Sequence, residues 1–584
     1  MEHVPVGGDV LGYFRAVAVD FDGTLAGDGR PDAAVLAALD EVRARGVRVL
    51  LVTGRILAEL HETFPDVDGH VDAVVGENGA VLATPAGTRR VAPPVPEELA
   101  AALTARDVSC RHGLVLVACG GDVEHVVLDE VRRLGLDCQL VRNRSELMVL
   151  PAGVSKGTGL VEALDELGLS AHNTIAVGDA ENDHSLLEVA EIGVAVDNAV
   201  ESLKHHADLV LDLPDGAGVA ELLRGPLVSG RERRCPGRWR VTLGHDEEGR
   251  AVDLPASQLN VLVAGGTGEG KSYVAGLIAE QLIGLGYTLV VVDPEGDHAG
   301  LGRLRGVLVT GGDTYLLPAA EVTSLIRHRG LSVVVDLSCL DMDAQARYLR
   351  EVPVEIEAQR RTTGLPQWVI FDEADRTVGR QGLALAVFDH AEKGHCLVTW
   401  RPQDLSADAL AGIDAVVALT SPRPAGALVD ITAAVADAHR ATIADLLTGE
   451  PGAAVLAHRG RPGAPVAFGL APRATSHLRH EHKYGHRGVP PERRFYFHAA
   501  VGAATGAVAA NLTDLEAELS RSDRAVLRHH CTRGDISRWI DHVLHDPGLA
   551  VTVAAAEATI HPNSPAATVE AARVRLVATL QARH

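Results

Sequence analysis

Short apolar runs rich in β-branched residues alternate with helix-length amphipathic runs along the chain up to about residue 475. A helix that carries the chain back between strands makes those strands parallel neighbours, so this alternation predicts an α/β fold with parallel sheets. The chain has 584 residues, several times the usual domain size, and more than one such unit is therefore expected. Aromatic residues make up only 3% of the sequence, so the cores must rest mainly on Val, Leu, Ile and Ala.

Changes in composition along the chain predict its division into domains. The predicted segments are a first α/β unit at 1–225 with an inserted cap at about 81–152, a linker and small β segment at 226–257, a second α/β unit at 258–475, a second linker at 476–494, and a helical C-terminal domain at 495–584. The second linker holds His477, His480, His482 and His486, whose irregular spacing among Pro and Arg favours a flexible linker over a metal site.

Charge and composition exclude several classes of protein. The formal net charge of −24 argues against a chain that coats nucleic acid, although a local basic surface would not alter that total. No run of some 18 apolar residues occurs, and the opening lacks the basic and apolar regions of a signal peptide. The seven cysteines are scattered without a CxxC pair, which favours reduced thiols and neither a zinc site nor a disulfide framework. We therefore expect a cytoplasmic protein with no membrane association.

The first unit places two aspartates at the end of its first predicted strand. Asp20 and Asp22 follow AVAV and precede Gly23-Thr24. Side chains two residues apart on an extended chain point to the same side, so both carboxylates can face one pocket. In an open parallel sheet, that pocket lies beyond the carboxyl ends of the strands.

Other polar groups are expected at the same edge of this sheet. Thr53 and Gly54 follow the strand VRVLLV, Lys156 begins a helix, and Asp179 and Asp183 follow the strand NTIAVG. Lysine is rare here, with only five in the whole chain, so a lysine at such a place is less readily explained as a surface residue. Carboxylates suit a hard divalent cation, and a hydroxyl, amides and an ammonium suit a phosphoryl group. The set predicts a site for Mg²⁺ and phosphate.

These motifs resemble those of the haloacid dehalogenase-like phosphatases, and GENGA (76–80) and GDAENDHSLL (178–187) resemble the Cof-like, class IIB branch. The resemblance implies Asp20 as the nucleophile and Asp22 as the general acid and base. It implies Mg²⁺ on Asp20, on Asp22 through its carbonyl, on Asp179 and beside Asp183. Thr53, Gly54 and Lys156 would hold the transferring phosphoryl oxygens.

The insertion at about 81–152 reads strand–helix–strand–helix–strand–strand, and the resemblance implies an α/β cap there. Such caps close over small phosphorylated metabolites and exclude water, which argues against a macromolecular phosphoester. Arg142 and Arg144 are candidates for binding an acidic group of the substrate, and solvated arginines on a strand edge are the alternative.

The second unit opens with a phosphate-binding loop. Gly265-Gly266-Thr267-Gly268-Glu269-Gly270-Lys271-Ser272 follows the strand NVLVA and precedes a helix, and it fits GxxxxGK[ST]. The loop amides can surround a phosphate, Lys271 can reach the β- and γ-oxygens, and Ser272 can ligate Mg²⁺. Asp372 and Glu373 end the strand QWVIF. An aspartate for Mg²⁺ beside a glutamate that polarises water indicates hydrolysis of ATP.

The second unit resembles the HerA/FtsK-type motor ATPases over about 240–472. One departure is Trp400, where those motors usually carry Gln after Thr399, because an indole cannot make the contacts of a γ-phosphate sensor. The resemblance implies a hexameric ring in which an arginine acts in trans. Candidates for that arginine are Arg376, Arg380, Arg401 and Arg423.

Three functions stay open from the sequence alone. The first is a Mg²⁺-dependent phosphatase of a small metabolite fused to an ATP-hydrolysing domain. The second is a nucleic-acid end-processing phosphatase and kinase or a DNA-translocating motor, with nucleic acid as the partner. The third is a ring scaffold switched by ATP, in which the phosphatase-like unit senses a ligand.

Overall fold

The computed structural model describes residues 12–27, 29–143, 146–379, 392–450, 452–460, 464–475, 489, 491–544 and 546–581. The predicted α/β fold class is confirmed, and a helical region follows the two α/β units. None of the helices in these ranges is both long and apolar enough to cross a membrane.

The first unit contains an open sheet, helices around it, and an inserted cap. Its strands are β1 (Ala16–Asp20), β2 (Arg48–Val52), β3 (Ala73–Gly76), β4 (Val81–Thr84), β5 (Gly87–Arg90), β6 (Cys110–His112), β7 (Val117–Gly120), β8 (Cys138–Asn143), β9 (Glu146–Pro151), β10 (Thr174–Gly178), β11 (Ile192–Ala195) and β12 (Leu209–Val210). Its helices are α1 (Ala33–Ala44), α2 (Leu57–Thr63), α3 (Val67–His70), α4 (Glu97–Thr104), α5 (Glu124–Leu134), α6 (Lys156–Leu167), α7 (His184–Val189), α8 (Glu201–His206) and α9 (Asp215–Arg224).

The open sheet of this unit has the strand order β12-β11-β10-β1-β2-β3-β4-β5. Strands β12 to β3 are parallel, and β4 and β5 continue the sheet as antiparallel strands. β1 is buried along its whole length because helices cover both faces, as its continuous apolar sequence predicts. The segment 81–84, expected as the first strand of the cap, belongs instead to this sheet.

The cap is a four-stranded antiparallel sheet of order β6-β7-β9-β8 with α4 and α5 on one face. Apolar side chains of these two helices and of the sheet form a separate small core that includes Leu99, Leu103 and Val127. A second apolar cluster, which includes Ile56, Ala118 and Met148, joins the other face of the cap sheet to the open sheet.

The second unit is built on one large sheet. Its strands are β13 (Arg240–His245), β14 (Ala251–Pro255), β15 (Val261–Ala264), β16 (Leu289–Asp293), β17 (Val307–Gly311), β18 (Ser332–Asp336), β19 (Trp368–Phe371), β20 (His395–Thr399), β21 (Ala415–Leu419), β22 (Ala453–His458) and β23 (Val466–Leu470). Its helices are α10 (Lys271–Gly284), α11 (Ala319–Arg329), α12 (Met342–Thr363), α13 (Ala374–Thr377), α14 (Ala407–Ala411), α15 (Gly426–Ala436) and α16 (Arg440–Leu447).

This sheet has 11 strands in the order β14-β13-β23-β22-β21-β15-β20-β19-β16-β18-β17. The strands from β21 to β17 are parallel, whereas β22, β23, β13 and β14 are antiparallel. The small β segment expected between the two units therefore forms the hairpin β13–β14 at the edge of this sheet.

The C-terminal region begins with a β-hairpin that the sequence analysis did not include. The hairpin consists of β24 (Phe495–Ala500) and β25 (Ala503–Ala509). The helices that follow are α17 (Leu512–Arg521), α18 (Arg524–Cys531), α19 (Asp535–His542), α20 (Pro547–Glu557) and α21 (Ala566–Gln581). Their apolar faces and Phe495 and Phe497 form one core, which contains the Ile536, Trp539 and Ile540 side chains at helical spacing.

The two α/β units contact each other at the amino ends of their parallel strands. Gln367, directly before β19, donates to the side chain of Asn173, directly before β10, at 3.0 Å. The guanidinium of Arg15, directly before β1, donates to the Arg360 carbonyl at 3.1 Å. In both sheets the parallel strands therefore run from this contact toward their carboxyl ends.

Candidate active sites

The first candidate site lies at the carboxyl ends of β1 and β10, where the sequence predicts it. The Lys156 ammonium, at the start of α6, lies 2.5 Å from Asp20 Oδ1 and 2.6 Å from Asp183 Oδ1. All three side chains are buried. Asp20 ends β1 and Asp183 ends the turn after β10, so the parallel pairing of β1 with β10 brings together groups more than 150 residues apart.

Hydrogen bonds fix the orientation of the acidic side chains after β10. Asp183 Oδ2 accepts the backbone N–H groups of Asp179 and Ala180, both at 3.0 Å. Thr24 donates its hydroxyl to Asp179 Oδ1 at 3.1 Å. These bonds hold the loop with the Asp179 carboxylate close to Asp20.

The geometry fits a divalent metal ion. Carboxylate oxygens of Asp20, Asp179 and Asp183 all lie within 4.8 Å of one another, and the three residues are buried. Oxygen donors of this kind are the ligands that Mg²⁺ takes in proteins, and Lys156 supplies only one of the positive charges that three carboxylates need.

Burial and the neighbouring charges shift the pKa values of Asp20 and Lys156. Burial and the neighbouring Asp183 carboxylate raise the pKa of Asp20 well above its ordinary value. Burial acts to lower the pKa of Lys156, but Asp183 and Asp20 outweigh it and raise that pKa. Lys156 therefore stays an ammonium, which favours negative charge at this position.

The predicted acid–base residue Asp22 has a partner that the sequence analysis did not assign. The Arg55 guanidinium donates to the Asp22 carboxylate through Nε at 2.8 Å and through its terminal nitrogen at 2.6 Å. Thr53 and Gly54 lie at the end of β2, beside Asp20, because β1 and β2 are paired in register. The buried Thr53 hydroxyl accepts the Arg55 amide at 3.1 Å, which shapes the turn.

A cavity of about 340 Å³ lies between the open sheet and the cap. Its walls include Asp22, Gly54 and Arg55 from the open-sheet side and Arg111, Asn143, Glu146 and Met148 from the cap. Arg111, on β6, donates to Glu59 of α2 at 2.7 Å and to Glu146 of β9 at 2.5 Å. This ion pair connects the cap to the rest of the unit across the cavity.

Among the described residues of the cap, the arginine at the cavity is Arg111 and not Arg142, one of the two proposed from the sequence. Arg142 pairs with Glu124 on the solvent side, and it is absent from the cavity wall. Arg144 lies outside the described residues. Arg111 stands in the segment CRHG, which has no recognisable motif, so only the fold reveals its position.

Glu77 also links the cap to the open sheet. Its carboxylate is fully buried and accepts the backbone N–H groups of Leu114, Val115 and Leu116 at 2.7–3.0 Å. Gly113 is required beside it, because a Cβ there would lie 2.4 Å from the Glu77 carboxylate. The GENGA motif therefore positions the β6–β7 turn of the cap.

The second candidate site surrounds the loop Gly265–Ser272, between β15 and α10. Gly268 and Gly270 have φ angles of 83° and 105°, which L residues rarely adopt. Lys271 Nζ donates to the Gly266 carbonyl at 3.0 Å, and Ser272 donates its hydroxyl to Asp297 at 3.1 Å.

The remaining residues of this loop complete the phosphate cradle. Thr267 and Gly268 are exposed at its tip. The Glu269 carboxylate folds back and accepts the amide of Gly266. The amino end of α10, which begins at Lys271, points into the cradle and favours an anion there.

Asp372 and Glu373 follow β19, next to the strand that ends in Asp293. The distance between His298 Nε2 and Asp372 Oδ2 is 3.0 Å. The His298 backbone N–H donates to the Asp293 carboxylate at 2.8 Å. Burial raises the pKa of Glu373 to about 7, with Glu295 and Asp372 adding to the effect. A carboxylate with such a pKa can accept a proton from water near neutral pH.

The arginines proposed to act in trans differ in their surroundings. Arg376 lies 3.6 Å from Glu295, and Arg401 stacks on Trp400 with 3.9 Å between its guanidinium carbon and the ring centre. Trp400 is 40% exposed, at the end of β20 and on the same sheet edge as the phosphate loop. Arg423 is exposed, and Arg380 lies outside the described residues, as do the four linker histidines.

Comparisons with known proteins find relatives of both α/β units. A family model described as haloacid dehalogenase-like hydrolase matches residues 17–105 and 140–223, and one described as the central domain of helicase HerA matches 252–359. A phosphoglycolate phosphatase of Archaeoglobus fulgidus is 32% identical over 221 residues, which cover 36% of this chain and 96% of the relative. A phosphoglycolate phosphatase of Methanopyrus kandleri is 31% identical over 223 residues, covering 36% and 95%.

Among solved structures, a haloacid dehalogenase-like hydrolase from Bacteroides thetaiotaomicron aligns with a TM-score of 0.32 and 21% identity, over 36% of this chain and 98% of its own. The match covers nearly the whole length of these sequence relatives. In this chain it falls on the unit that carries Asp20, Lys156 and Asp179. The chain belongs to the haloacid dehalogenase-like hydrolases through an N-terminal phosphatase unit, and part of its second unit is similar to the central domain of helicase HerA.

Proposed function

We propose that the N-terminal unit is a Mg²⁺-dependent phosphomonoester hydrolase that acts through an aspartyl-phosphate. The observation that carries this proposal is the convergence of Asp20, Lys156, Asp179 and Asp183 beside a cavity roofed by the cap. A nucleophile, a fixed cation and a set of metal ligands are the groups that phosphoryl transfer requires.

In the first step, a carboxylate oxygen of Asp20 attacks phosphorus in line with the ester oxygen. The bond from phosphorus to Asp20 forms as the bond to the ester oxygen breaks. Asp22 gives its proton to the departing alcohol oxygen, and Arg55 holds the Asp22 side chain at the cavity wall. Thr53, the Gly54 amide and Lys156 would bind the equatorial phosphoryl oxygens.

In the second step, water attacks the phosphorus of the aspartyl-phosphate. Asp22, now a carboxylate, accepts a proton from that water, and the bond between phosphorus and Asp20 breaks. Inorganic phosphate leaves, and the Asp20 carboxylate and the Asp22 acid are restored. Asp20, Asp179 and Asp183, with the Asp22 carbonyl, would hold Mg²⁺, which neutralises negative charge between Asp20 and the phosphate.

A small phosphorylated acid is the first substrate class to examine. Two curated relatives are named phosphoglycolate phosphatases, and both are matched over nearly their whole length. The cavity of about 340 Å³ suits a small metabolite, since the cap strands cover it and leave little room for a polymer.

The test is phosphate release from an aryl phosphate, with and without Mg²⁺, by the full chain and by Asp20→Asn. We expect the variant to lose activity by about a thousandfold or more, because it removes the nucleophile. Asp32→Asn, at an exposed position before α1, is the matched control. Retained activity in Asp20→Asn would refute the aspartyl-phosphate. A screen of phosphoglycolate, sugar phosphates and phosphorylated oligonucleotides then distinguishes metabolite hydrolysis from nucleic-acid end processing.

We also propose that the second unit hydrolyses ATP. Support comes from the phosphate loop with Lys271 and Ser272, and from Asp372 and Glu373 at the neighbouring strand end. Ser272 and Asp372 would hold Mg²⁺, and Glu373 would accept a proton from the attacking water. The Glu373 backbone N–H donates to Asp372 Oδ1 at 3.0 Å, which helps to orient the Asp372 carboxylate.

Lys271→Ala should lower ATP turnover by about a hundredfold or more, since it removes a cation from the transferring phosphate. Lys204→Ala, on α8 of the first unit, is the control for loss of a lysine. ATP binding with negligible turnover in the unchanged protein would instead support the ATP-switched scaffold.

We propose, as part of this second function, that the protein forms a hexameric ring and binds nucleic acid, and the HerA resemblance supports both. A cytoplasmic location belongs to the same proposal. Sizing of the protein with and without ATP tests the ring. Stimulation of ATP turnover by DNA tests the motor, and its absence together with a monomer on sizing would argue against both.

A further inference from the structure

Two cysteines far from any sequence motif face each other in the cap. Cys110 of β6 and Cys119 of β7 are directly opposite residues in an antiparallel pair. The backbone bond from Gly113 N to Leu116 O, at 3.0 Å, belongs to the same ladder. Hydrogen-bonded and non-hydrogen-bonded pairs alternate along such a ladder, so Cys110 and Cys119 form a non-hydrogen-bonded pair.

A non-hydrogen-bonded pair brings side chains closest together. Its Cα atoms are about 4.5 Å apart, and a disulfide spans Cα separations of about 4.4–6.8 Å. Both side chains also point to the same face of the sheet, because both belong to the apolar cluster beneath α4 and α5. The backbone therefore needs no rearrangement to join the two sulfur atoms.

The other cap cysteine has no such partner. Cys138 lies on β8, at the opposite edge of the sheet, and its register partner is Pro151. Cys110 lies on the edge strand β6 and is half-buried, so a small oxidant can reach it, whereas Cys119 is buried.

We propose that Cys110 and Cys119 are a modification site, a thiol pair that a peroxide oxidises reversibly to a cross-strand disulfide. The Cys110 thiolate attacks one peroxide oxygen and becomes a sulfenic acid as water leaves. The Cys119 thiol then attacks that sulfur, which forms the S–S bond and releases a second water. In total, two thiols and hydrogen peroxide give one disulfide and two water molecules, and a dithiol reductant reverses the reaction.

The position of the pair connects this chemistry to the phosphatase cavity. Arg111 and Ala118, the next residues on the two strands, are also register partners, and both line the cavity on the opposite face. A disulfide would fasten the edge strand β6 to β7 and so restrict the strand that carries Arg111. Formation of the bond does not depend on the proposed hydrolysis, so the two proposals can fail separately.

Burial sets the rate of the reaction. It raises the pKa of Cys110 above its ordinary value, and burial together with Cys110 raises that of Cys119 to about 11. The thiolate is the reactive form, so oxidation should be slow at pH 7 and at least about tenfold faster at pH 9.

The experiment treats the full chain with hydrogen peroxide, blocks remaining thiols, and maps the cysteines by mass spectrometry. We expect a peptide cross-link between Cys110 and Cys119 that dithiothreitol removes. Hydrogen exchange of the β6 amides should slow by about tenfold or more in the oxidised protein, because the cross-link suppresses local opening.

Cys110→Ser should abolish the cross-link, and Cys138→Ser should leave it unchanged. If the buried Cys119→Ser misfolds, Cys110→Ser still tests the proposal, because Cys110 is half-buried on an edge strand and its substitution should be tolerated. A dominant link to Cys138, oxidation of single thiols without a link, or unchanged exchange of β6 would overturn the proposal.

Discussion

The buried Glu357 and the half-buried Glu392 form an acid pair in the second unit, beside the contact with the first. Glu357 accepts from Arg360 at 2.9 Å and lies 2.9 Å from His395 Nε2. Burial opposes this, but Arg360 and His395 hold the pKa of Glu357 well below its ordinary value. Burial and the Glu357 carboxylate raise the pKa of Glu392 to about 7. The pair thus shares one proton near neutral pH.

This pair predicts a pH-dependent stability. The pKa of Glu392 is about 7 in the folded protein and 4.5 ordinarily, so between these two pH values the folded protein binds a proton that the unfolded chain has lost. The protonated Glu392 therefore stabilises the fold fully below pH 4.5, and this stabilisation is lost as the pH rises to about 7. Glu392→Gln keeps a hydrogen-bonding side chain and removes the titration. The measurement is urea unfolding of the unchanged protein and of Glu392→Gln at pH 5 and at pH 8. The difference between their free energies of unfolding (unchanged protein minus variant) should be smaller at pH 8 than at pH 5 by about 2 kcal/mol.

Glu355→Gln, at an exposed position on α12, is the control and should show no such slope. Equal pH dependence in the unchanged protein and Glu392→Gln would show that Glu392 is ionised throughout.

At the scale of elements, the cap depends on the turn that carries Glu77. Three backbone N–H groups of the β6–β7 turn find their acceptor in this one carboxylate. Arg111 makes a second connection, to Glu59, on the other side of the cavity. The cap is therefore positioned by polar contacts at its turn and at an edge strand, in addition to its apolar contact through Met148.

Glu77→Ala should leave three amides of the cap turn without their acceptor. We expect the free energy of unfolding to fall by about 2–4 kcal/mol and kcat/KM for an aryl phosphate to fall by about tenfold or more. Thermal unfolding and steady-state kinetics measure the two effects. Glu62→Ala, exposed on α2, should change neither. Unaltered kinetics in a destabilised Glu77→Ala would separate stability from cap positioning.

At the scale of the whole molecule, a buried carboxylate joins the two α/β units. Glu191, fully buried before β11, accepts from the Tyr287 hydroxyl at 2.8 Å and the Ser257 hydroxyl at 2.5 Å, and lies 2.8 Å from His172 Nδ1. The His172 ring stacks on Tyr287 with 3.7 Å between ring centres. These contacts lie at the amino ends of the strands, whereas both candidate sites lie at carboxyl ends, so this contact does not include residues of either site.

Glu191→Ala should therefore weaken the contact between the units and spare both sites. Three buried groups lose their partner, so we expect a loss of about 3 kcal/mol in the free energy of unfolding. Phosphatase and ATPase activities below the unfolding transition should stay within about twofold. Limited proteolysis at the segment between the two α/β units, about 226–239, should become faster. The control Glu188→Ala, at an exposed position on α7, should behave like the unchanged protein. A large loss of either activity would indicate that the contact transmits changes between the sites.

Local sequence patterns were enough to predict where the candidate reactive groups lie on the strands and helices. Asp20, Lys156 and Asp179 each lie at a strand end or helix start that apolar periodicity predicts, and parallel strands bring such ends together. The phosphate loop ending in Lys271 and Ser272 is likewise readable, because its glycines and its place between strand and helix are set locally. These parts of the fold and of both sites follow from neighbours in the chain.

The partners of those groups were decided only by the tertiary structure. Arg111 and not Arg142 reaches the cavity, Cys110 meets Cys119, and Glu191 becomes an acceptor between units, although nothing around these residues in the sequence marks them. Each position depends on strand register or on the packing of distant elements, and a shift of one residue in register would turn the side chain to the other face. The sequence by itself therefore determined which candidate reactive groups the chain carries, and packing determined what surrounds, orients and connects them.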